Sequence, residues 1–181
     1  MYVQSGHIIM TLKSIGPYRH SKKKFMGENK MANCFFIGHR VAPSDLCPLL
    51  DEAVKRHIVE FGVTQFTVGQ YGDFDRYAAQ AVKKAKKSYP EVMLTLLLPY
   101  HPFDRPVAVP DEFDDTCYPL GLEFVPKRAA IIRADQYMIK TSDYLIAYDC
   151  GLAGNTKSLV SLARRREKKG MIRIENLADR T

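Results

Sequence analysis

The sequence of 181 residues lacks long apolar runs, closely spaced cysteines and any histidine spacing that suits a metal. Its longest apolar stretches are short runs such as Leu96–Leu98, far below the roughly 20 residues that a membrane-spanning helix requires. The four cysteines lie far apart without a C-x-x-C pair, which is typical of reduced thiols. These absences argue against a membrane protein, a disulfide framework and a zinc site, and they predict a cytoplasmic protein that holds no metal.

The net charge of +7 is concentrated at the N-terminus. Residues 1–30 contain six Lys and Arg residues against one Glu, so the rest of the chain is nearly neutral. Because this segment has neither a helical nor a strand period, we expect a flexible basic extension. The alternative is a basic arm that contacts RNA, DNA or anionic lipid. A nearly neutral body does not favour a nucleic-acid-binding domain.

From residue 31 onward, apolar strands alternate with amphipathic helices. Strands are predicted at 34–37, 64–68, 92–98, 144–148 and 171–174, and helices at about 45–61, 75–89, 126–139 and 156–169. Residues 100–119 are predicted to be irregular, residues 122–125 to be a short strand or a lead-in to the next helix, and His57 to be solvated. The alternation predicts one Rossmann-like α/β domain over residues 31–177, with a doubly wound, mostly parallel sheet and helices on both faces. Residues 178–181 are expected to be a tail.

Glycines follow three of the predicted strands, at the edge where parallel sheets bind ligands. At the first junction, Gly38 allows a sharp turn, and His39 and Arg40 follow it. Arg40 is suited to clamp a phosphate or carboxylate, although a plain turn with a surface arginine fits equally well. At the second junction, Gly69 and Gly72 are spaced to form an anion-accepting nest. The aspartate that follows them, Asp75, is expected to cap the next helix or to contact a ribose hydroxyl.

The third junction follows the strand at 144–148 and opens a helix. Its candidate phosphate-binding residues are Gly151, Gly154, Asn155, Thr156 and Lys157, because the backbone N–H groups of a helix N-terminus attract anions. The segment nearly matches G-x-x-x-x-G-K-[ST], but Thr156 occupies the position of the second glycine. No strand that ends in a Mg²⁺-binding aspartate follows it, so a P-loop NTPase is disfavoured. A G-x-S-x-G hydrolase motif is absent as well.

These motifs together resemble the SLOG superfamily (the SMF/DprA–LOG group), most closely its YpsA-like branch. The resemblance covers most of residues 34–174 in the correct order. The matching elements are Phe36–Arg40, Gly69 with Phe74-Asp75 and Ala78-Ala79, Leu97–Tyr100, Tyr137-Met138, Ser142–Ala147 and Gly154–Thr156. The resemblance implies a Rossmann-like fold that binds nucleotides or nucleotide-derived ligands. It equates Gly151–Thr156 with the glycine-rich loop of the family and Gly38–Arg40 with its first-strand G-H-R motif.

One position departs from the enzymes of this superfamily. In the phosphoribohydrolases, the glycine-rich loop is followed by a catalytic glutamate, and Leu159 stands at that position here. Leucine cannot act as an acid, a base or a stabilising carboxylate. Asp75, Asp143 and Asp149 are the substitutes that remain open.

The sequence therefore predicts non-catalytic binding of a small phosphate-bearing ligand, with no cofactor assigned beyond a nucleotide-like one. The first alternative is a nucleoside-monophosphate N-glycosidase that uses a different carboxylate. The second is a DNA- or RNA-associated protein that acts through the basic extension. Relatives often pair, which is compatible with a homodimer, although no apolar stripe demands one.

Overall fold

The computed structural model describes residues 31–180, which contain a sheet of six parallel strands. The strands are β1 (Ala32–Gly38), β2 (Val63–Val68), β3 (Met93–Leu97), β4 (Asp115–Cys117), β5 (Tyr144–Tyr148) and β6 (Arg173–Asn176). The helices are α1 (Leu46–Phe61), α2 (Asp73–Lys86), α3 (Ala130–Thr141) and α4 (Asn155–Glu167). The predicted Rossmann-like, doubly wound α/β fold is confirmed.

The side chains of β1 supply the cores on both faces of the sheet, because successive residues of a strand point in opposite directions. Cys34 and Phe36 pack into the core beneath α1 and α2. Phe35 and Ile37 pack into the core beneath α3 and α4. A central strand covered on both faces must be apolar throughout, which explains the unbroken run of buried residues in β1.

The strand order β4-β3-β2-β1-β5-β6 places the reversal of the chain beside β1. The first four strands progress outward from β1 on one side, and β5 returns to its other side. Ligands of open parallel sheets bind at the carboxyl ends of the two strands that flank such a switch point. A ligand site is therefore expected at the segments that follow β1 and β5.

Three predictions for local structure differ from the observed elements. The short strand β4 lies within the stretch expected to be irregular, where it pairs with β3. The strand considered for residues 122–125 is wrong, because Leu122–Phe124 form a turn of 3₁₀ helix. Residues 178–180, expected to be a tail, belong to a 3₁₀ helix over Leu177–Arg180, where Leu177 is fully buried.

The expectation that His57 is solvated is also wrong. Its side chain is buried, with Nδ1 2.8 Å from the Ala53 carbonyl oxygen. The ring packs edge-on against Phe61 and Tyr144. The pKa of His57 is lowered from 6.5, chiefly because burial disfavours the imidazolium.

Two other predictions concern the chain as a whole. No helix within residues 31–180 is long and apolar enough to cross a membrane, and the four cysteines are free thiols. The basic extension at 1–30 lies outside the described residues, so the nucleic-acid alternative that rests on it stays a prediction.

Candidate functional site

A cavity of about 280 Å³ opens at the carboxyl end of β1, between the beginnings of α2 and α4 and one side of α3. The sequence-predicted residues on its lining are Gly38, His39, Arg40, Gly69, Gly72, Asp75, Asn155 and Thr156. Gly151, Gly154 and Lys157 do not line it; they are exposed on the segment that leads into α4 and on its first turn. The three junctions thus converge on one place in the fold, and ligand binding by these residues remains a prediction.

Two of the glycines are required by packing within the protein. A Cβ on Gly38 would lie 2.1 Å from Cγ of Phe74, which is fully buried. A Cβ on Gly72 would lie 2.8 Å from the Cα of Arg40, and the N–H of Asp73 donates to the Arg40 carbonyl oxygen at 2.8 Å. Gly38 and Gly72 therefore hold the start of α2 tightly against the segment after β1.

The anion nest expected at Gly69 and Gly72 is filled by the protein itself. Helix α2 begins at Asp73, so Asp75 lies inside its first turn and not before it. The Asp75 carboxylate turns back and accepts the N–H of Tyr71 at 2.9 Å, and the Gly72 N–H also bonds to it. A phosphate is not needed to satisfy these N–H groups.

Two carboxylates face the cavity, Asp75 on α2 and Asp135 on α3. Burial raises the pKa of Asp75 to about 6, although the hydrogen bonds from Tyr71 and Gly72 oppose the rise. Burial, and then the charge of Asp75, raise the pKa of Asp135 to about 7. Within residues 31–180, the carboxylate of Asp135 makes no hydrogen bond or ion pair. Sequence reasoning missed Asp135, although it lies three residues before Met138 and four before Ile139, which are buried on α3.

The first turn of α4 also contributes to the lining of the cavity. Its N-cap residue Gly154 has φ +144°, a conformation that L side chains rarely adopt. No side chain caps this helix, and its first turn contains no acidic residue. Uncapped N–H groups and the helix dipole favour an anion at this end.

Two hydroxyl groups of the first turn of α4, including that of the predicted phosphate-binding residue Thr156, form bonds inside the protein. Thr156 Oγ1 donates to the Gly38 carbonyl oxygen at 3.1 Å, which ties α4 to the end of β1. Ser158 Oγ donates to the Gly154 carbonyl oxygen at 3.2 Å. Lys157 Nζ lies 3.3 Å from the Gly151 carbonyl oxygen, so its charge stays at the mouth of the loop.

The two residues after Gly38 differ in their contacts: the His39 side chain bonds inside the protein and the Arg40 side chain does not. His39 Nε2 accepts the N–H of Cys150 at 3.4 Å, and it lies 3.8 Å from Asp149 Oδ1. This contact joins the segments that follow β1 and β5. The Arg40 side chain is exposed and makes no hydrogen bond or ion pair within the part of the chain described, so its guanidinium is available to a ligand.

A second residue that sequence reasoning missed is Asn176, at the end of β6. Its Oδ1 accepts the Asp149 N–H at 2.9 Å, and its Nδ2 donates to the Asp149 carbonyl oxygen at 3.2 Å. Nδ2 also lies 2.9 Å from Asp179 Oδ1. The side chain of Asn176 therefore fixes the point at which the glycine-containing loop leaves β5.

Leu159, at the position of the superfamily's catalytic glutamate, is buried and lines the cavity. Together with Leu97 and Ile132 it gives the cavity an apolar wall beside the two carboxylates. No group of three or more His, Cys, Asp or Glu residues that could hold a metal occurs between residues 31 and 180.

Comparisons with known proteins give a match in structure only. No family model and no curated protein sequence matches the chain. Among solved structures, the molybdenum cofactor binding protein from the phototrophic bacterium Rippkaea orientalis aligns with a TM-score of 0.52 and 19% identity. The alignment covers 82% of this chain and 91% of that protein. This likeness supports the shared fold.

Proposed function

We propose that this protein binds a nucleotide or nucleotide-derived, phosphate-bearing ligand in the cavity at the end of β1. The observation that carries the proposal is the N-terminus of α4, which opens at the switch point of the sheet without a capping side chain or an acidic residue. Asn155 and Thr156 from this turn line the cavity. The free N–H groups of such a turn are suited to a phosphate.

Two cations support the same placement of the phosphate. Arg40 reaches the lining from the end of β1, and its planar guanidinium suits a bidentate contact with phosphate. Lys157 lies on the first turn of α4 beside Gly151. Gly151 and Gly154 leave the backbone of this loop open, since a Cβ on either would meet no atom within 4 Å.

The size of the cavity favours a small ligand. At about 280 Å³ it lies at the lower limit of the ~300–1,000 Å³ typical of small-molecule sites. A mononucleotide or a molecule of similar size fits this limit better than a dinucleotide does.

Membership of the SLOG superfamily and its YpsA-like branch is part of this proposal, and it is supported by the order of the motifs and by the fold. The solved neighbour is named as a molybdenum cofactor binding protein, so that cofactor belongs among the ligands to test. The side chains on the lining that could coordinate a metal are the Asp75 and Asp135 carboxylates and the His39 imidazole. Because they make no metal-ligand cluster, such a cofactor would be held here through groups other than its metal.

The test is thermal unfolding of the full chain with ribose 5-phosphate, AMP, GMP, NAD, ADP-ribose, cyclic dinucleotides and the molybdenum cofactor. A ligand at one hundred times its Kd should stabilise the fold by about 2.7 kcal/mol. Arg40→Ala should weaken every phosphate-bearing ligand. Arg165→Ala, which removes the same charge at the other end of α4, should leave binding unchanged. No stabilisation by any of these ligands at millimolar concentration would contradict the proposal.

A second candidate, cleavage of a nucleoside monophosphate at its N-glycosidic bond, is favoured by the Asp75 and Asp135 carboxyls in the cavity. With a pKa of about 7, Asp135 is suited to donate a proton to a leaving base near neutral pH. Incubation of AMP or GMP with the protein, followed by chromatography, tests this activity. Release of free base that Asp135→Asn abolishes would support it, and no release within hours would remove it.

A further inference from the structure

The lining of the cavity combines two kinds of chemistry. Arg40 and the uncapped first turn of α4 suit an anion, whereas the Asp75 and Asp135 carboxylates are unfavourable to a second one. A ligand that fills the cavity must therefore present a phosphate to the first set of groups and a different group to the two carboxylates.

The two carboxylates demand hydrogen-bond donors. An ionised carboxylate only accepts hydrogen bonds, with room for about four. Asp75 uses part of this capacity for the N–H groups of Tyr71 and Gly72. Asp135 has no partner within residues 31–180, and it faces the cavity. A half-buried carboxylate without a partner is costly until a donor reaches it.

The cavity that these carboxylates face also has apolar walls. Leu97, Ile132 and Leu159 contribute to its lining. Apolar walls with a few polar groups are typical of sites that take a flat heterocycle. A sugar, which carries hydroxyl groups on all sides, would leave these hydroxyls unsatisfied against the walls.

We propose that Asp75 and Asp135 recognise the heterocyclic base of the ligand through an edge that carries two adjacent N–H donors, as guanine does with its ring N–H and its exocyclic amino group. This inference rests on the proposed function, because it assumes that the phosphate lies at the first turn of α4. An adenine edge would direct a ring nitrogen acceptor at a carboxylate, so the same pair disfavours adenine.

Asp135 is the specificity-determining residue, because it lines the cavity and its carboxylate has no partner within residues 31–180. Asp75 is held by the loop before α2, so its carboxylate is fixed before the ligand enters. The rise in the pKa of both carboxyls agrees with a site that lacks its donor. A donor that binds the ionised forms returns the pKa of each group toward its ordinary value.

The experiment compares GMP, IMP, AMP and ribose 5-phosphate by calorimetric titration of the full chain at pH 7.5. IMP differs from GMP only in lacking the exocyclic amino group. We expect GMP to bind at least about tenfold more tightly than IMP or AMP, since a hydrogen bond to a charged acceptor contributes about 1.5–3 kcal/mol. Asp135→Asn should reduce this preference to less than about threefold and leave the affinity for ribose 5-phosphate unchanged. Glu123→Gln, an exposed carboxylate before α3, should retain the preference.

The outcomes separate the inference from the function on which it rests. Binding of ribose 5-phosphate with no gain from the guanine base overturns the inference and leaves the proposed function standing. Equal binding of GMP and AMP also overturns it, as does an unchanged preference in Asp135→Asn. If neither ribose 5-phosphate nor any of the three nucleotides binds at millimolar concentration, both proposals fail.

Discussion

The carboxylate of Asp75 occupies the space that a side chain on Gly69 would need. A Cβ built on Gly69 would lie 2.8 Å from Asp75 Oδ2, and the same oxygen accepts the Tyr71 N–H. The glycine after β2 is therefore present for a partner inside the protein. It allows Asp75 to hold the loop that leads into α2 and to face the cavity at the same time.

Replacing Gly69 by alanine should destabilise the fold. We expect Gly69→Ala to lower the free energy of unfolding by roughly 1–3 kcal/mol, the usual cost of an added group that neighbours must move to admit. Urea denaturation measures this change. In an Asp75→Ala background, the same substitution should cost less, because the opposing oxygen is gone. An equal cost in both backgrounds would show that the contact does not matter.

The side-chain amide of Asn176 should control the loop that carries Gly151 and Gly154. Asn176→Ala removes both bonds to the backbone of Asp149, so the free energy of unfolding should fall by about 1–3 kcal/mol. Affinity for a phosphate-bearing ligand should fall as well. Denaturation and calorimetry check the two effects.

Asn33 provides the control for this substitution. Its side-chain Oδ1 accepts the Asp143 N–H at 3.2 Å, near the amino end of β1. Asn33→Ala should lower stability without changing ligand affinity. If both variants weaken the ligand equally, Asn176 has no special role in the loop.

The stability of the protein should depend on the ionisation of Asp135. Its pKa is 3.8 when unfolded and about 7 when folded, so the folded state holds the proton more tightly and stability falls as pH rises from about 4 to about 7. Asp135→Asn should therefore be more stable than the parent at pH 8, by about 1 kcal/mol or more, with the difference vanishing near pH 4. Denaturation across this range measures the effect, and Glu123→Gln should show no such trend.

His57 should contribute the opposite trend. Because its pKa is lowered from 6.5 in the folded state, protonation favours the unfolded chain, and this contribution to stability is lost as pH falls below about 6.5. In His57→Leu, the decline between pH 6.5 and pH 5 should be smaller than in the parent. Identical slopes for the two proteins would falsify the role assigned to this ring.

The signal for two of the features that sequence reasoning missed was present in the sequence. His57 lies three residues after Val54 and four before Phe61, on the apolar face of α1, so the period already indicated burial. Asp135 occupies the equivalent kind of position on α3. For His57, the usual environment of a polar residue type was given more weight than a spacing that pointed inward.

Other features depend on contacts between distant parts of the chain, and no local pattern contains them. Strand β4 is polar and short, and it exists because it pairs with β3. Glycine is required at position 38 because the Phe74 ring, on α2, leaves no room for a Cβ. The positions of five strands along the chain and the glycines that follow three of them were predictable, because buried parallel strands and turns have strong local signatures.

The Asp75 carboxylate orders the segment before α2 in advance of any ligand, whereas the loop at 151–154 adapts when a ligand binds. The backbone before α2 is already bonded, so a ligand need not order it on arrival. In the loop at 151–154, internal hydrogen bonds hold Gly151 and Gly154, whereas Leu152 and Ala153 are exposed. Each residue that a ligand orders costs about 1–2 kcal/mol in conformational entropy. Differences in affinity among ligands that carry the same base and the same charge should therefore arise mainly from how much of this loop each one immobilises. They should appear in dissociation rates more than in association rates.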